Sequence, residues 1–303
     1  MTKSVSGGWV RTEITMTGKT VIITGANTGI GLETAIDLVK RGARVILGCR
    51  NTDKAEAAKQ RIVTETEGNE DKVILKKLDL SSLSSVRSFA KEIIETESKI
   101  NVLLNNAGVM MIPKGKTEDG FETHYGVNHL GHFLLTNLLL DLIKKSAPSR
   151  IVSVSSSAHN VWSPNLDFDD MNYDRNYSET SAYSRSKLMN ILFTRELSKR
   201  LEGTNVTANS LHPGAVRTEL ARHVYGSNWK WFIQPFLALF GKTPAKGAQT
   251  NIYLCVAPEL ENVTGKYFAD CAVKGESNAA KNDDVAKRLW DVSMNATGLT
   301  QTI

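Results

Sequence analysis

Thr20-Val21-Ile22-Ile23-Thr24-Gly25-Ala26-Asn27-Thr28-Gly29-Ile30-Gly31-Leu32 is the stretch on which the reading of this chain turns. Val21-Ile22-Ile23 is a short apolar run stopped by a glycine-rich turn, the pattern of a buried strand. Leu32 to Lys40 then has helical spacing, and Gly42 follows as a helix stop. Strand, turn and helix in that order make a phosphate cradle. Gly25 allows the tight turn, Gly29 lets the backbone approach a pyrophosphate, and Gly31 permits close packing of helix on strand. The helix N-terminus offers N–H groups and its positive dipole end to the phosphates. A glycine triplet alone is a weak signal; the strand before it and the helix after it give this one its meaning.

Working outward, apolar runs recur at Val45-Ile46-Leu47, Val73-Ile74-Leu75, Val102-Leu103-Leu104, Ile151 to Val154 and Val206 to Leu211. Helical stretches are predicted between them, near 52–66, 82–98, 118–145 and 181–202. Pro244 opens a further helical segment, and Thr264 to Ala269 reads as a last strand. Strands alternating with helices imply right-handed βαβ units. The predicted fold is therefore α/β: a single-domain Rossmann fold, a doubly wound parallel sheet with helices on both faces. No linker or composition break divides the series. One domain is expected over 17–303, with a polar, flexible arm at 1–16 and a substrate lid around 215–243.

Composition narrows the function. The chain of 303 residues is 41% hydrophobic and 23% charged, an ordinary globular balance that can bury a large core. A formal charge of +5 with no clustered basic run argues against nucleic acid as a partner. Cys49, Cys255 and Cys271 are odd in number and form no CxxC, which excludes a disulfide framework and a cysteine zinc site. His124, His129 and His132 are spaced by five and three with no acid or cysteine on a shared face, so no metal is expected. There is no apolar stretch of spanning length. A cytoplasmic protein is expected, with peripheral contact to a membrane surface and a homodimer both left open.

The second strand ends Gly48-Cys49-Arg50-Asn51. A site selective for NAD wants an acid there to hold the ribose 2′-hydroxyl. Arg50 occupies the place, and a guanidinium suits a 2′-phosphate by charge and by its forked geometry. NADP(H) is favoured.

Tyr183-Ser184-Arg185-Ser186-Lys187 opens a helix, with Tyr183 and Lys187 one turn apart on one face. A phenol with an ordinary pKa of about 10 is a poor acid or base near neutrality. A nearby ammonium is expected to favour the phenolate and lower that value. The segment follows a strand that delivers Ser155, Ser156 and Ser157 at its C-terminal end, where open α/β sheets bind ligands. A serine hydroxyl there can hold a substrate oxygen. Asn105-Asn106-Ala107-Gly108 ends the fourth strand. Asn128 lies on the following helix, where a buried polar role and an ordinary cap or core amide are both open readings.

These pieces, in this order, resemble the short-chain dehydrogenase/reductases over about residues 17–270. The likeness rests on Thr24-Gly25-x-x-x-Gly29-Ile30-Gly31, Asn105-Asn106-Ala107-Gly108, Asn128, Ser155-Ser156, Tyr183-x-x-x-Lys187 and Pro213-Gly214. Within that family the chain looks most like the retinol dehydrogenases of the 11-to-14 type. The phrases 25–31, Gly126 to Phe133, Leu192 to Leu197 and His212-Pro213-Gly214 carry this.

The resemblance implies Tyr183 as acid/base, Ser156 polarising the substrate oxygen, Lys187 tuning Tyr183 and holding the ribose, and Asn128 supporting a proton-relay water. It implies a cofactor surface of Gly25, Asn27, Thr28, Gly29, Ile30, Gly31, Arg50, Asp79, Leu80, Asn106, Ala107, Gly108, Tyr183, Lys187, Pro213, Gly214, Val216 and Thr218. Asp79 would contact adenine, Asn105 lie beside the ribose and strand core, and Thr218 reach the nicotinamide carboxamide. The expected activity is NADP(H)-dependent interconversion of a lipophilic primary alcohol and its aldehyde, with retinol and retinal first. A steroid, isoprenoid-alcohol or xenobiotic carbonyl reductase is the same-class alternative, and a nucleotide-sensing binder with a dead site the other-class one. The aromatic stretch 229–240, with Trp229, Trp231, Phe232, Phe236 and Phe240, fits a lid, core packing or membrane contact.

Overall fold

A computed structural model of the chain describes residues 5–6, 8–10, 13–161, 165–217 and 241–300. A short antiparallel hairpin, Val5–Ser6 (β1) with Trp9–Val10 (β2), precedes the sheet. The chain then runs through Thr20–Thr24 (β3), Gly29–Lys40 (α1), Arg44–Cys49 (β4), Thr52–Glu65 (α2), Val73–Lys77 (β5) and Leu83–Thr96 (α3). Next come Val102–Asn105 (β6), Gly131–Lys145 (α4), Ser149–Val154 (β7), Glu179–Arg200 (α5) and Val206–His212 (β8). Pro244–Gly247 (α6), Gln249–Val256 (α7), Tyr267–Ala269 (β9), Ala272–Val273 (β10) and Asp283–Thr297 (α8) complete the described order.

The sheet runs β10-β9-β8-β7-β6-β3-β4-β5, parallel except for the β10–β9 hairpin edge. From β3 the chain winds outward through β4 to β5, then returns and winds the other way through β6, β7 and β8. The strand order reverses between β3 and β6. That reversal opens a crevice at the C-terminal strand ends, the place where doubly wound sheets take ligands.

Alternation along each strand divides the core into two layers. Ile22, Ile46, Leu103 and Ile151 pack on one side with Phe89, Phe133, Phe193 and Trp290. Val21, Ile23, Val45, Leu47 and Val152 pack on the other with Leu38, Val39 and Ile252. Strands buried on both faces read as continuous apolar runs, which is why the sequence pattern finds them.

The helix expected near 118–145 starts later than its apolar spacing suggests. Gly120, at φ +86°, makes a turn, and Glu122 bridges back to Lys116. A π-helical turn, Tyr125–Leu130, then leads into α4. In the segment read as a loose arm, Val10 and Met16 are buried, and Val10 N–H donates to Gln249 Oε1 at 2.8 Å. Among the described residues no helix is long and apolar enough to cross a membrane.

Candidate active site

The glycine turn leaves β3 as the sequence predicts. Gly25 has φ +66°, and a Cβ there would meet Ala107 Cβ at 2.8 Å. A Cβ on Gly31 would stand 2.5 Å from Asn106 Nδ2 and 2.7 Å from Gly25 O, so only glycine lets α1 close on the neighbouring strand end. Thr28 is the N-cap of α1 but makes no side-chain cap bond, and the first turn carries no acid. The leading N–H groups are thus left for an anion. These features fit a dinucleotide pyrophosphate.

The neighbouring strand ends complete the cradle. Gly25 N–H donates to Gly48 O at 2.8 Å, which sets the end of β4 beside the turn. Arg50 follows and is exposed. Asp79 is half-buried and accepts from Ser81 N and Ser81 Oγ at 2.9 and 2.6 Å. Leu80 is buried, and its carbonyl lies 2.8 Å from where a Gly131 Cβ would be. Val216 and Ile30 both press on Gly247, where an added Cβ would lie 2.6 Å from Val216 Cγ2 and 3.1 Å from Ile30 Cγ2. This brings the segment after β8 onto the glycine turn. Lys242 Nζ holds that segment through Pro213 O at 3.2 Å and pairs with Asp270. Gly214, at φ +91°, leaves no room for a side chain beside the Lys242 stem. Thr218 and the aromatic residues from Trp229 to Phe240, including Trp231, Phe232 and Phe236, lie outside the described residues.

The Asn105 and Asn106 amide nitrogens hold the strand ends together. Asn105 is buried, and its Nδ2 donates to Thr136 Oγ1 at 2.9 Å. Asn106 Nδ2 donates to Thr24 O and Gly25 O at 2.8 and 3.3 Å and so clamps the glycine turn. Gly108 is where the cofactor side meets the chemistry. A Cβ on it would lie 3.1 Å from Asn128 Oδ1 and 3.4 Å from Lys187 Nζ.

Ser156, Tyr183 and Lys187 come together at the end of β7 and the start of α5. Ser178 caps α5 by accepting from Ser181 N–H, with Glu179 in the first turn, which fixes where Tyr183 begins to face the sheet. Tyr183 hydrogen-bonds the half-buried Ser156. Lys187 Nζ lies 5.7 Å from the Tyr183 ring centroid and donates to Val154 O at 3.2 Å. Ser155 Oγ donates to Lys187 O at 2.6 Å and ties helix to strand.

One expectation is corrected here. Burial pushes the Tyr183 phenol above its ordinary value, and the Ser156 hydrogen bond only opposes that. Lys187, also buried, is itself pushed down to about 8. Withdrawal from water disfavours the charged form of both groups. The resting pair is a neutral phenol, ready to donate, beside an ammonium that gives up its proton at about 8.

Asn128 lies in the π turn and is fully buried. Its Oδ1 accepts from Val109 N–H at 2.8 Å, and its Nδ2 donates to Val109 O and Ser186 Oγ at 3.0 and 2.9 Å. The three neighbouring histidines do different work. His124 Nδ1 meets the buried Glu122 at 2.8 Å, and its ring packs edge-on against Tyr183 at 6.2 Å. His129 reaches Ser293 at 2.7 Å among Tyr125, Phe133 and Phe193. His132 lies between Thr24 and Asn128. His159 Nδ1 meets Ser156 O at 2.6 Å, and its Nε2 accepts from Ser277 N–H at 3.3 Å. Among the described residues no group of three His, Cys, Asp or Glu could hold a metal.

The model of the short chain dehydrogenase family matches residues 19–168. The chain is 51% identical to human (Homo sapiens) retinol dehydrogenase 14 over 299 residues, covering 94% of this chain and 88% of that one. It is 50% identical to human retinol dehydrogenase 11 over 297 residues, covering 98% and 91%. The chain belongs to the short-chain dehydrogenase family. It is an oxidoreductase of that family, and its fold is shared with a solved, uncharacterised protein from Mycobacterium paratuberculosis. That likeness has a TM-score of 0.76 at 36% identity and covers 96% of this chain and 97% of the other.

Sequence reasoning passed over Glu122, the hydrogen-bonding role of Thr24 and the separate tasks of the histidines. Thr24 was legible only as the first residue of the glycine motif, because its hydrogen-bonding role depends on the strand beside it. The near-regular His spacing invited a metal reading, but the π turn between His124 and His132 breaks the α-helical phase that the spacing assumes.

Proposed function

We propose that this short-chain dehydrogenase uses NADP(H) to interconvert a lipophilic primary alcohol and its aldehyde, with retinol and retinal as the first pair. The observation that carries this is the meeting of Ser156, Tyr183 and Lys187 at the strand ends, joined to the glycine turn through Ala107 and Gly108. The names of the two human relatives support the choice of retinoid. NADP(H), when bound, supplies the hydride exchanged with the carbonyl carbon.

Gly25, Asn27, Thr28, Gly29, Ile30 and Gly31 would hold its pyrophosphate and Arg50 its 2′-phosphate. Asp79 and Leu80 would flank the adenine. Asn106, Ala107, Gly108, Tyr183 and Lys187 would line the ribose side, and Pro213, Gly214, Val216 and Thr218 the carboxamide side. Ser156 Oγ holds the substrate oxygen. The Tyr183 hydroxyl gives it a proton in reduction and takes one back in oxidation. Lys187 and Asn128 return the proton to Tyr183 from solvent. In this reading the aromatic stretch 229–240 supplies the apolar wall over the substrate. The free, buried Cys49, Cys255 and Cys271 support a reducing, cytoplasmic setting.

The test is NADPH consumption with all-trans-retinal, farnesal, a ketosteroid and propanal in parallel. Retinal is expected to give the highest kcat/KM. Preference for propanal would remove the lipophilic reading.

Cofactor choice has its own test. Arg50→Asp removes a partner for the 2′-phosphate and installs an acceptor for a 2′-hydroxyl. A charge-assisted contact is worth about 1.5–3 kcal/mol, roughly ten- to a hundredfold in affinity. The ratio of kcat/KM for NADPH over NADH should fall by that much. An unchanged ratio would release Arg50 from the assignment.

A further inference from the structure

Thr24, His132 and Asn128 form a buried chain whose hydrogen-bond directions can be worked out. Thr24 Oγ1 accepts from Asn106 N–H and from Ala107 N–H, both at 2.9 Å. Two donors fill the two lone pairs of a hydroxyl. Its third neighbour is His132 Nε2, at 2.8 Å. Thr24 therefore donates there, and Nε2 accepts. A neutral imidazole that accepts at Nε2 carries its proton on Nδ1. That Nδ1–H points at Asn128 O, 3.1 Å away.

We infer that His132 is a positioning residue: as a neutral Nδ1–H imidazole it ties the root of the cofactor turn, at Thr24, to the backbone carbonyl of Asn128. The Asn128 side chain is engaged with Val109 and Ser186, so any part it takes in a proton path runs through its backbone carbonyl, which has a second lone pair beside the His132 bond. The residue that fixes this carbonyl also fixes how the π turn sits against β3. Thr24 and Asn128 are 0% exposed and His132 3%.

Charge supports the same state. A second ring proton on His132 would aim Nε2–H at a hydroxyl whose lone pairs are taken, and would set a positive charge near Lys187. Burial and that neighbouring charge hold the imidazole far below its ordinary value, at about 4, against the opposing pull of the Asn128 carbonyl.

The inference rests on the proposed reaction only for its kinetic consequence. His132→Leu removes both bonds. His132→Asn keeps one, because an asparagine in this helix reaches the carbonyl four residues back, as Asn137 Nδ2 does to Phe133 O at 2.8 Å. With NADPH and retinal, His132→Leu should lower kcat by about tenfold or more, the size of one lost hydrogen bond, and leave KM for retinal within about twofold. His132→Asn should recover kcat to within about threefold. Equal kcat losses in the two variants, or losses that merely follow the folded fraction in a thermal melt, would overturn the positioning role.

A second readout needs no turnover. Nitrogen NMR of histidine-labelled, nucleotide-free protein should give His132 as the neutral Nδ1–H tautomer from pH 5 to 8, within the range set by a value of about 4. An Nε2–H tautomer or an imidazolium would sink the inference whatever the enzyme does. Parent protein inactive on every carbonyl offered would count against the proposed reaction alone, and the NMR result would still decide on His132.

Discussion

Tyr183→Phe is expected to lower turnover by at least about 10²-fold, the usual size of a lost general acid or base. The change removes one hydroxyl and little else. The ring is 5% exposed and packs edge-on against His124, and phenylalanine keeps that contact. The Ser156 partner survives the loss, because its Oγ still accepts from Ala158 N–H at 3.1 Å. Most of the groups that would hold NADPH lie on other elements, and Tyr183 adds at most one hydrogen bond on the ribose side, so NADPH affinity, read by fluorescence titration, should fall by no more than about tenfold. Loss of turnover with retained binding separates proton transfer from cofactor binding. Turnover near that of the parent would place the acid elsewhere and dissolve the assignment of Ser156 and Lys187 with it.

What the sequence made legible was what short-range patterning controls. The apolar runs marked β3 to β8 because strands covered on both faces must be apolar throughout. The glycine turn and the Tyr183–Lys187 pair were legible because each is a local device, a few residues long. The N-terminal limit of the helix leading into α4 was misread because apolar spacing continues through Phe121 and Tyr125, while Gly120 and the Glu122 bridge end the turn before it. Helix α8 was passed over although its signals are local. Asn282 caps it, Asp283 and Asp284 occupy its first turn, and Gly298 closes it at φ +64°.

The direction of the Tyr183 perturbation was beyond the sequence for another reason. The i, i+4 spacing reports that an ammonium is near, but not how far both groups are withdrawn from water, and that depth decides the sign. The same limit hid Thr24 and His132. Their partners are 82 and 108 residues from Thr24 along the chain, and only the β3–β6 pairing and the packing of α4 bring them together.

Lys187→Met is expected to abolish useful turnover and yet raise stability at neutral pH. Lys187 is 3% exposed, with its amine pushed from an ordinary 10.5 down to about 8 by burial. At about 1.4 kcal/mol per pH unit, holding that ammonium charged inside the fold costs about 3 kcal/mol. Methionine has a similar length and no charge to desolvate. The bond lost with the amine orphans nothing, because Val154 O still accepts from Asn190 Nδ2 at 3.1 Å. A lost hydrogen bond offsets about 1 kcal/mol of the gain, which leaves roughly 2 kcal/mol, or a Tm rise of several degrees for a chain of this size.

The pH dependence fixes the cause. Below about 8 the lysine is charged in both the folded and the unfolded chain, and the full cost is present. Between about 8 and 10.5 the folded protein has lost the proton that the unfolded chain keeps, so the parent gains stability as pH rises. The Tm advantage of Lys187→Met should therefore be constant from pH 6 to 7.5 and shrink steadily above about 8. An advantage that does not change up to pH 10 would mean packing, not charge, separates the two proteins. A lower Tm than the parent at pH 7 would mean the ammonium is stabilised where it sits, and the buried-amine account of its proton exchange with Tyr183 would fall.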